Sequence, residues 1–239
     1  TWDFENVLEV DMISGTLESR TQDAVLNGAN MAVVGAYGRW EIIQFLTATQ
    51  ISATRWQLSG LLRGRRATEH HVGTSIAQDF FVMLSAGGLT RLPMQISEIG
   101  AARVYRAVTF GTSSVESTAQ SFTGQGEALR PFSPVHIHGE RVAGDLIIEW
   151  TRRGRLGQEL RSGTDIPLSE ESEAYEIDIL IPGASPELAL RTLESSTTSV
   201  TYTAADQTTD GFDADDQIMV RVYQMSATVG RGTAGEAIL

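Results

Sequence analysis

Few windows of this chain hold a 3.6-residue apolar period long enough for a helix of average length. The apolar residues come instead in short alternating runs. Leu146, Ile148 and Trp150 share one parity, as do Tyr175, Ile177, Ile179 and Ile181, and then Ile218, Val220 and Val222 with a closing Gln224. A period of two puts every second side chain on one face of a strand, so these runs read as half-buried strands. In the second half, PVHIHG (134–139) and GDLIIEWTRR (144–153) form a predicted hairpin. AYEIDILI (174–181), LALRTLE (188–194), TSVTYTAA (198–205), QIMVRVYQMSA (217–227) and the tail GRGTAGEAIL follow. Seven short strands separated by turn signals predict an antiparallel sandwich, with Trp150 and Tyr175 on its inner faces. With no Cys in the chain, the disulfide-bridged immunoglobulin version is excluded.

The first half reads as strands too: ANMAVVGAYG (29–38), RWEIIQFLTATQI (39–51), TRWQLSGLL (54–62), DFFVMLSA (79–86), LPMQISEI (92–99) and RVYRAVTFG (103–111). Residues 20–30 have room for one or two helical turns before Gly28. The breakers in GQGEALRPFSP, from Gly124 to Pro134, coincide with a shift in charge. Residues 1–130 carry 12 acids against 10 Arg, and residues 131–239 carry 18 against 8. Two β domains, 1–130 and 131–239, are the expected organisation.

Composition narrows the function. A formal charge of −12 argues against general nucleic-acid binding, which needs a basic face. Apolar runs such as IIQFL and LIIEW fall far short of the roughly 20 residues of a membrane-spanning helix, so no membrane span is expected. All 18 basic residues are Arg. A GC-rich genome explains that most simply, and forked donors at interfaces are the alternative. A chain opening on Thr rather than Met is expected to be a processed or excised piece of something longer.

The motifs that could carry chemistry each have a plainer account. His136 and His138 sit two apart on a predicted strand and so share a face, yet no third ligand is near and metal sites need three or four. His70 and His71 have no nucleophile motif beside them. The cluster Asp210, Asp213, Asp215 and Asp216 lacks the spacing of a calcium loop and reads as solvated, with Phe212 plugging the sandwich. No catalytic residue, cofactor or metal ion is therefore expected. Arg63, Arg65 and Arg66 around Gly64 make a compact basic turn in an acidic protein. Forked cations on a short loop suit a phosphate or the carboxylates of a neighbouring subunit; the net acidity favours the second, which makes these three the subunit-interface candidates.

The same segment, WQLSGLLRGRRATEHHVG, resembles a pattern in tail-tip hub proteins of long-tailed phages and gene transfer agents. In that pattern a strand ends in Leu-Arg-Gly, followed by a turn with Thr, then His and Gly; here these are Leu62, Arg63, Gly64, Thr68, His71 and Gly73. Gly commonly precedes the Thr in that family, and this chain has Ala67. NGANMAVVG and WEIIQF upstream are similar to the strands that lead into the motif. RPFSPVHIHGERVAGDLIIEWTRRGR, IPLSEESEAYEIDIL and VRVYQMSATVGRGTAGEA resemble the carboxy-terminal part of the large baseplate protein of alphaproteobacterial gene transfer agents. The resemblance implies an all-β chain: a hub-type β domain followed by a fibronectin type III-like sandwich. It further implies a structural virion component at the tail tip (the baseplate hub), linking the tail tube to host-facing parts. The implied partners are other tail-tip and tail-tube proteins, with three copies around the tail axis and a host surface glycan as a further possibility. The family's glycosidase-like barrel has no counterpart here. A carbohydrate-binding or cell-wall-cleaving module is the alternative function, and the four Trp, scattered singly, speak against it.

Overall fold

The computed structural model describes residues 2–85, 89–90, 92–156, 166–181, 183, 188–213 and 215–239. The chain is all-β, with antiparallel sheets and only two short α-helices among the described residues. It divides into two compact units, Thr1–Gly124 and Gln125–Leu239, so the division falls at the start of the breaker-rich segment.

In the first unit the strands are β1 (Trp2–Asp3), β2 (Leu8–Asp11), β3 (Met31–Gly35), β4 (Glu41–Gln50), β5 (Arg55–Arg65) and β6 (Phe80–Met83). They form one antiparallel sheet in the order β1-β5-β4-β3-β6, with β2 also pairing β5. β1 meets β5 at Leu61 and Leu62, and β2 meets it from Arg55 to Leu58, so the two short strands share one edge of β5. Phe45, Trp56, Leu58 and Leu61 of the expected strands form a buried cluster with Val10 and Leu17, and Ala32, Val34 and Ile43 form a second. The expected helical turn is α1 (Gln22–Leu26). Thr21 caps it by accepting from the Ala24 N–H, and its Val25 is fully buried. The unit ends in a separate two-stranded ribbon, β7 (Ala102–Arg106) paired with β8 (Ala119–Thr123).

Two strand expectations fail here. LPMQISEI holds a single 3-10 turn at Ile96–Glu98, because Gln95 and Glu98 cap each other's backbone N–H groups. The run 103–111 is a strand only as far as Arg106. Shared parity does not by itself make a strand, and Val108 and Phe110 lie in the connecting turn, exposed.

The second unit has strands β9 (Val135–Val142), β10 (Asp145–Thr151), β11 (Tyr175–Leu180), β12 (Ala189–Ser195), β13 (Ser199–Tyr202), β14 (Met219–Ser226), β15 (Gly230–Arg231) and β16 (Gly235–Ile238). One sheet runs β13-β10-β9. The other runs β12-β11-β14-β15, with β16 also on β14. Inner faces of both sheets share one core: Leu146, Ile148 and Trp150, Tyr175, Ile177 and Ile179, Tyr202, then Ile218, Val220 and Val222. This division of strands is that of a fibronectin type III-like sandwich. Trp150 and Tyr175 are 4% and 1% exposed and meet edge to face at 5.0 Å. Phe212 plugs the core beside Tyr202. Ile181 lies beyond the end of β11 and is partly exposed. The run TSVTYTAA stops being a strand at Tyr202. Thr203 accepts from the Asp206 N–H and starts helix α2 (Ala204–Thr209) instead.

Candidate functional site

The strand that carries the basic cluster does not turn at Leu62, as its sequence predicted, but runs on through Arg65. Opposite it on β4 stand two polar residues in an otherwise apolar run, Glu41 and Gln44, and both are buried. Ile42 pairs with Arg65 and Gln44 with Leu62, so one extra residue on β5 makes a bulge centred on Arg63 and Gly64. Gly64 takes a left-handed conformation (φ +59°), and a Cβ there would stand 2.6 Å from the Glu69 Cα. Only Gly fits this bend.

The bulge aims the arginines inward. Arg63 forks onto the Glu41 carboxylate with both bonds at 2.6 Å, and Gly64 adds a backbone N–H at 2.9 Å. Three donors thus satisfy one buried carboxylate. Glu41 in turn raises the Arg63 pKa, chiefly through the hydrogen bond. Arg65 donates from Nε to the Gln44 side-chain oxygen at 2.9 Å. Burial lowers its pKa, and neighbouring Arg66 adds to the effect. Gln44 passes the connection on, donating to the carbonyls of Val25 and Ala29 at the end of α1. Thr68 closes the turn: its hydroxyl donates to the Arg65 carbonyl and accepts from the Ile42 N–H.

These contacts give Arg63 and Arg65 partners within their own chain. Arg63 and Arg65 serve the sheet they sit on, and of the three only Arg66 is exposed. Arg66 and Ala67 both have positive φ, at +54° and +66°. Ala67 therefore occupies a left-handed position where Gly is the unstrained residue. Farther on, Arg39 donates to the Thr74 carbonyl and forks onto Asp79, which also accepts from the Ile76 N–H. Arg39 holds the Asp79 carboxyl below its ordinary range.

The same use of arginine recurs throughout the chain. Forked pairs join Arg55 to Asp11, Arg155 to Glu170, Arg191 to Asp210 and Arg231 to Asp178. Lys has no fork and could not make these bidentate contacts. The acidic cluster is likewise only partly solvated, because Asp210 also accepts from the Tyr202 hydroxyl at 2.7 Å. His136 and His138 do not share a regular strand face. His136 has φ +53° at a β-bulge, and His138 meets Glu149 at 3.2 Å. Among the described residues, no group of three His, Asp or Glu is placed to hold a metal ion.

Sequence reasoning missed Glu41 and Gln44. Their signal was two polar residues in an apolar strand run, with Arg63 and Arg65 waiting on the strand beside it.

A family model described as Rcc01698-like, C-terminal, matches residues 1–82. The match spans β1 to β5, the Arg63 joint and most of β6, about a third of the chain. None of the curated proteins matches the chain.

Proposed function

We propose that the chain is a structural component of a phage or gene-transfer-agent tail tip, part of the baseplate hub that links the tail tube to host-facing parts. In this reading three copies stand around the tail axis. The observation that carries it is the use made of segment 56–73, where the resemblance is most detailed. Leu62 is packed, Gly64 makes the bulge, Arg63 holds Glu41 and Thr68 ties the turn to β4. The motif residues are spent on a rigid joint, as an assembly scaffold requires. A fibronectin type III-like sandwich on the same chain fits a spacer or adhesion module.

The carbohydrate reading has less support. Glycan platforms present flat aromatic faces to solvent, whereas Trp56 and Trp150 are buried. The test is fractionation of particles from a producing host, with the chain quantified against a tail-tube protein. Enrichment in tails at three copies per particle is the expected result. Recovery only from the soluble fraction would overturn the proposal. Arg66 keeps its place as an inter-subunit candidate, and Arg66→Glu should weaken incorporation while leaving the isolated fold intact.

A further inference from the structure

Between Ala67 and Gly124 no described residue is buried. The stretch from Leu92 to Thr123 is the extreme case. It is ordered into a capped 3-10 turn and the β7–β8 ribbon, yet Leu92, Ile96, Val104, Phe110, Val115 and Phe122 are half to fully exposed. Val104 and Phe122 lie on opposite faces of the ribbon, so neither face is covered. A lone two-stranded hairpin is marginal in water and needs a third strand or a packed face. Exposed apolar patches of this extent mark contact surfaces.

We propose that residues 92–123 are a self-association arm whose occupant is a second copy of this chain, with the open edge of β8 taking a strand of that copy. The proposal deepens the assembly reading and rests on it for the identity of the partner. Three observations on the arm support it. The first is area. A large side chain buries roughly 150 Å² or more, so the exposed apolar residues of the turns and of both ribbon faces together offer on the order of 700 Å², close to the about 800 Å² per partner of a stable interface. The second is charge. In a chain of net −12, residues 92–123 carry Arg103 and Arg106 against Glu98 and Glu116, which balance. Arg103 pairs with Glu98, Arg106 donates to the carbonyls of Ser114 and Ser117, and Glu116 accepts from the Ser113 N–H. Two copies repel least where each is neutral. The third is the edge itself. β8 (AQSFT) has no charge, Pro or bulge, the devices that keep edge strands from pairing.

Sedimentation of the full chain at tens of micromolar is the experiment, with Phe110→Asp and Val115→Asp as variants. Both side chains sit in the turn between β7 and β8 and are almost wholly exposed, so neither change disturbs the isolated fold. The wild type should sediment as a multimer, and the double variant should dissociate at least tenfold more readily with an unchanged thermal melt. A monomeric wild type, or a variant with undiminished association, would overturn the proposal. So would a monomer that floats with neutral or anionic vesicles, since lipid would then be the arm's cover. Association lost in the variant supports the arm even if the chain is absent from tail particles, a result that counts against the tail reading alone.

Discussion

Two antiparallel ladders in this protein have the same length and opposite fates. β11 and β14 pair at five positions from Tyr175↔Gln224 to Ile179↔Val220; β7 and β8 pair at five from Ala102↔Thr123 to Arg106↔Ala119. The first ladder turns Tyr175, Ile177, Ile179, Val220 and Val222 onto a second sheet and leaves them at most 1% exposed. The second presents Val104 and Phe122 to solvent. Both ladders pair over five positions, so the difference lies in the covering layer. A ladder contributes stability when a second layer removes its apolar face from water, roughly 1.5–3 kcal/mol for each large side chain.

The largest expected effect tests the covered ladder. Trp150→Ala removes the side chain that bridges β10 to Tyr175 on the opposite sheet, and should cost about 3–5 kcal/mol of stability in equilibrium urea unfolding. A loss below about 1 kcal/mol would mean that the two sheets do not depend on one another. Next comes Glu41→Gln, which probes the polar lock of the first unit. The carboxylate accepts from Arg63 twice and from Gly64 once, and an amide cannot reproduce that. The expected cost is about 2–3 kcal/mol, measured in the same way. A neutral outcome would reduce the lock to a passive contact.

Legibility followed the same division. The sandwich could be read because its inner faces alternate within each strand, and each apolar run carries the whole signal. Tyr175, Ile177, Ile179 and Val222 were all placed inward from parity alone. The arm misled because Val104, Arg106, Val108 and Phe110 have the same parity with nothing to pack on, and parity does not report cover. The basic cluster hid its partners within the chain for a different reason. Arg63 finds its carboxylate 22 positions upstream, so a local reading of the turn saw three cations and no partner. Thr203 was read through as strand because its capping partner Asp206 lay just past the expected end.

A smaller effect, with a pH signature, is expected at the edge of the sandwich. Arg191 and then Tyr202 hold the Asp210 carboxyl below its ordinary range. A carboxyl depressed in the folded state stabilises above its unfolded value, near 4, and loses that contribution as pH falls through its folded value. Asp210→Asn should therefore cost about 1 kcal/mol at pH 7. Thermal melts of wild type and variant should converge as pH is lowered towards 3. A gap that stays constant with pH would show that the Arg191 contact does not depend on the carboxylate's charge.

The smallest effect completes the comparison. Val104 lies on the ribbon face opposite Phe122 and is 65% exposed, across from Ser121. Replacing it with Ser removes apolar surface that the isolated chain leaves in water, so almost no transfer free energy is lost. The residual cost is the β-propensity difference between Val and Ser, within about 0.5 kcal/mol at an exposed site. Measured on dilute protein, where copies are apart, Val104→Ser should unfold with the wild type. Measured at high concentration, it should lower the melting temperature if the arm gains a cover by association, since whatever binds only the folded state stabilises it by mass action. A cost above 1.5 kcal/mol in the dilute sample would mean that the ribbon is already packed within a single chain, and the contrast with β11 and β14 would fail.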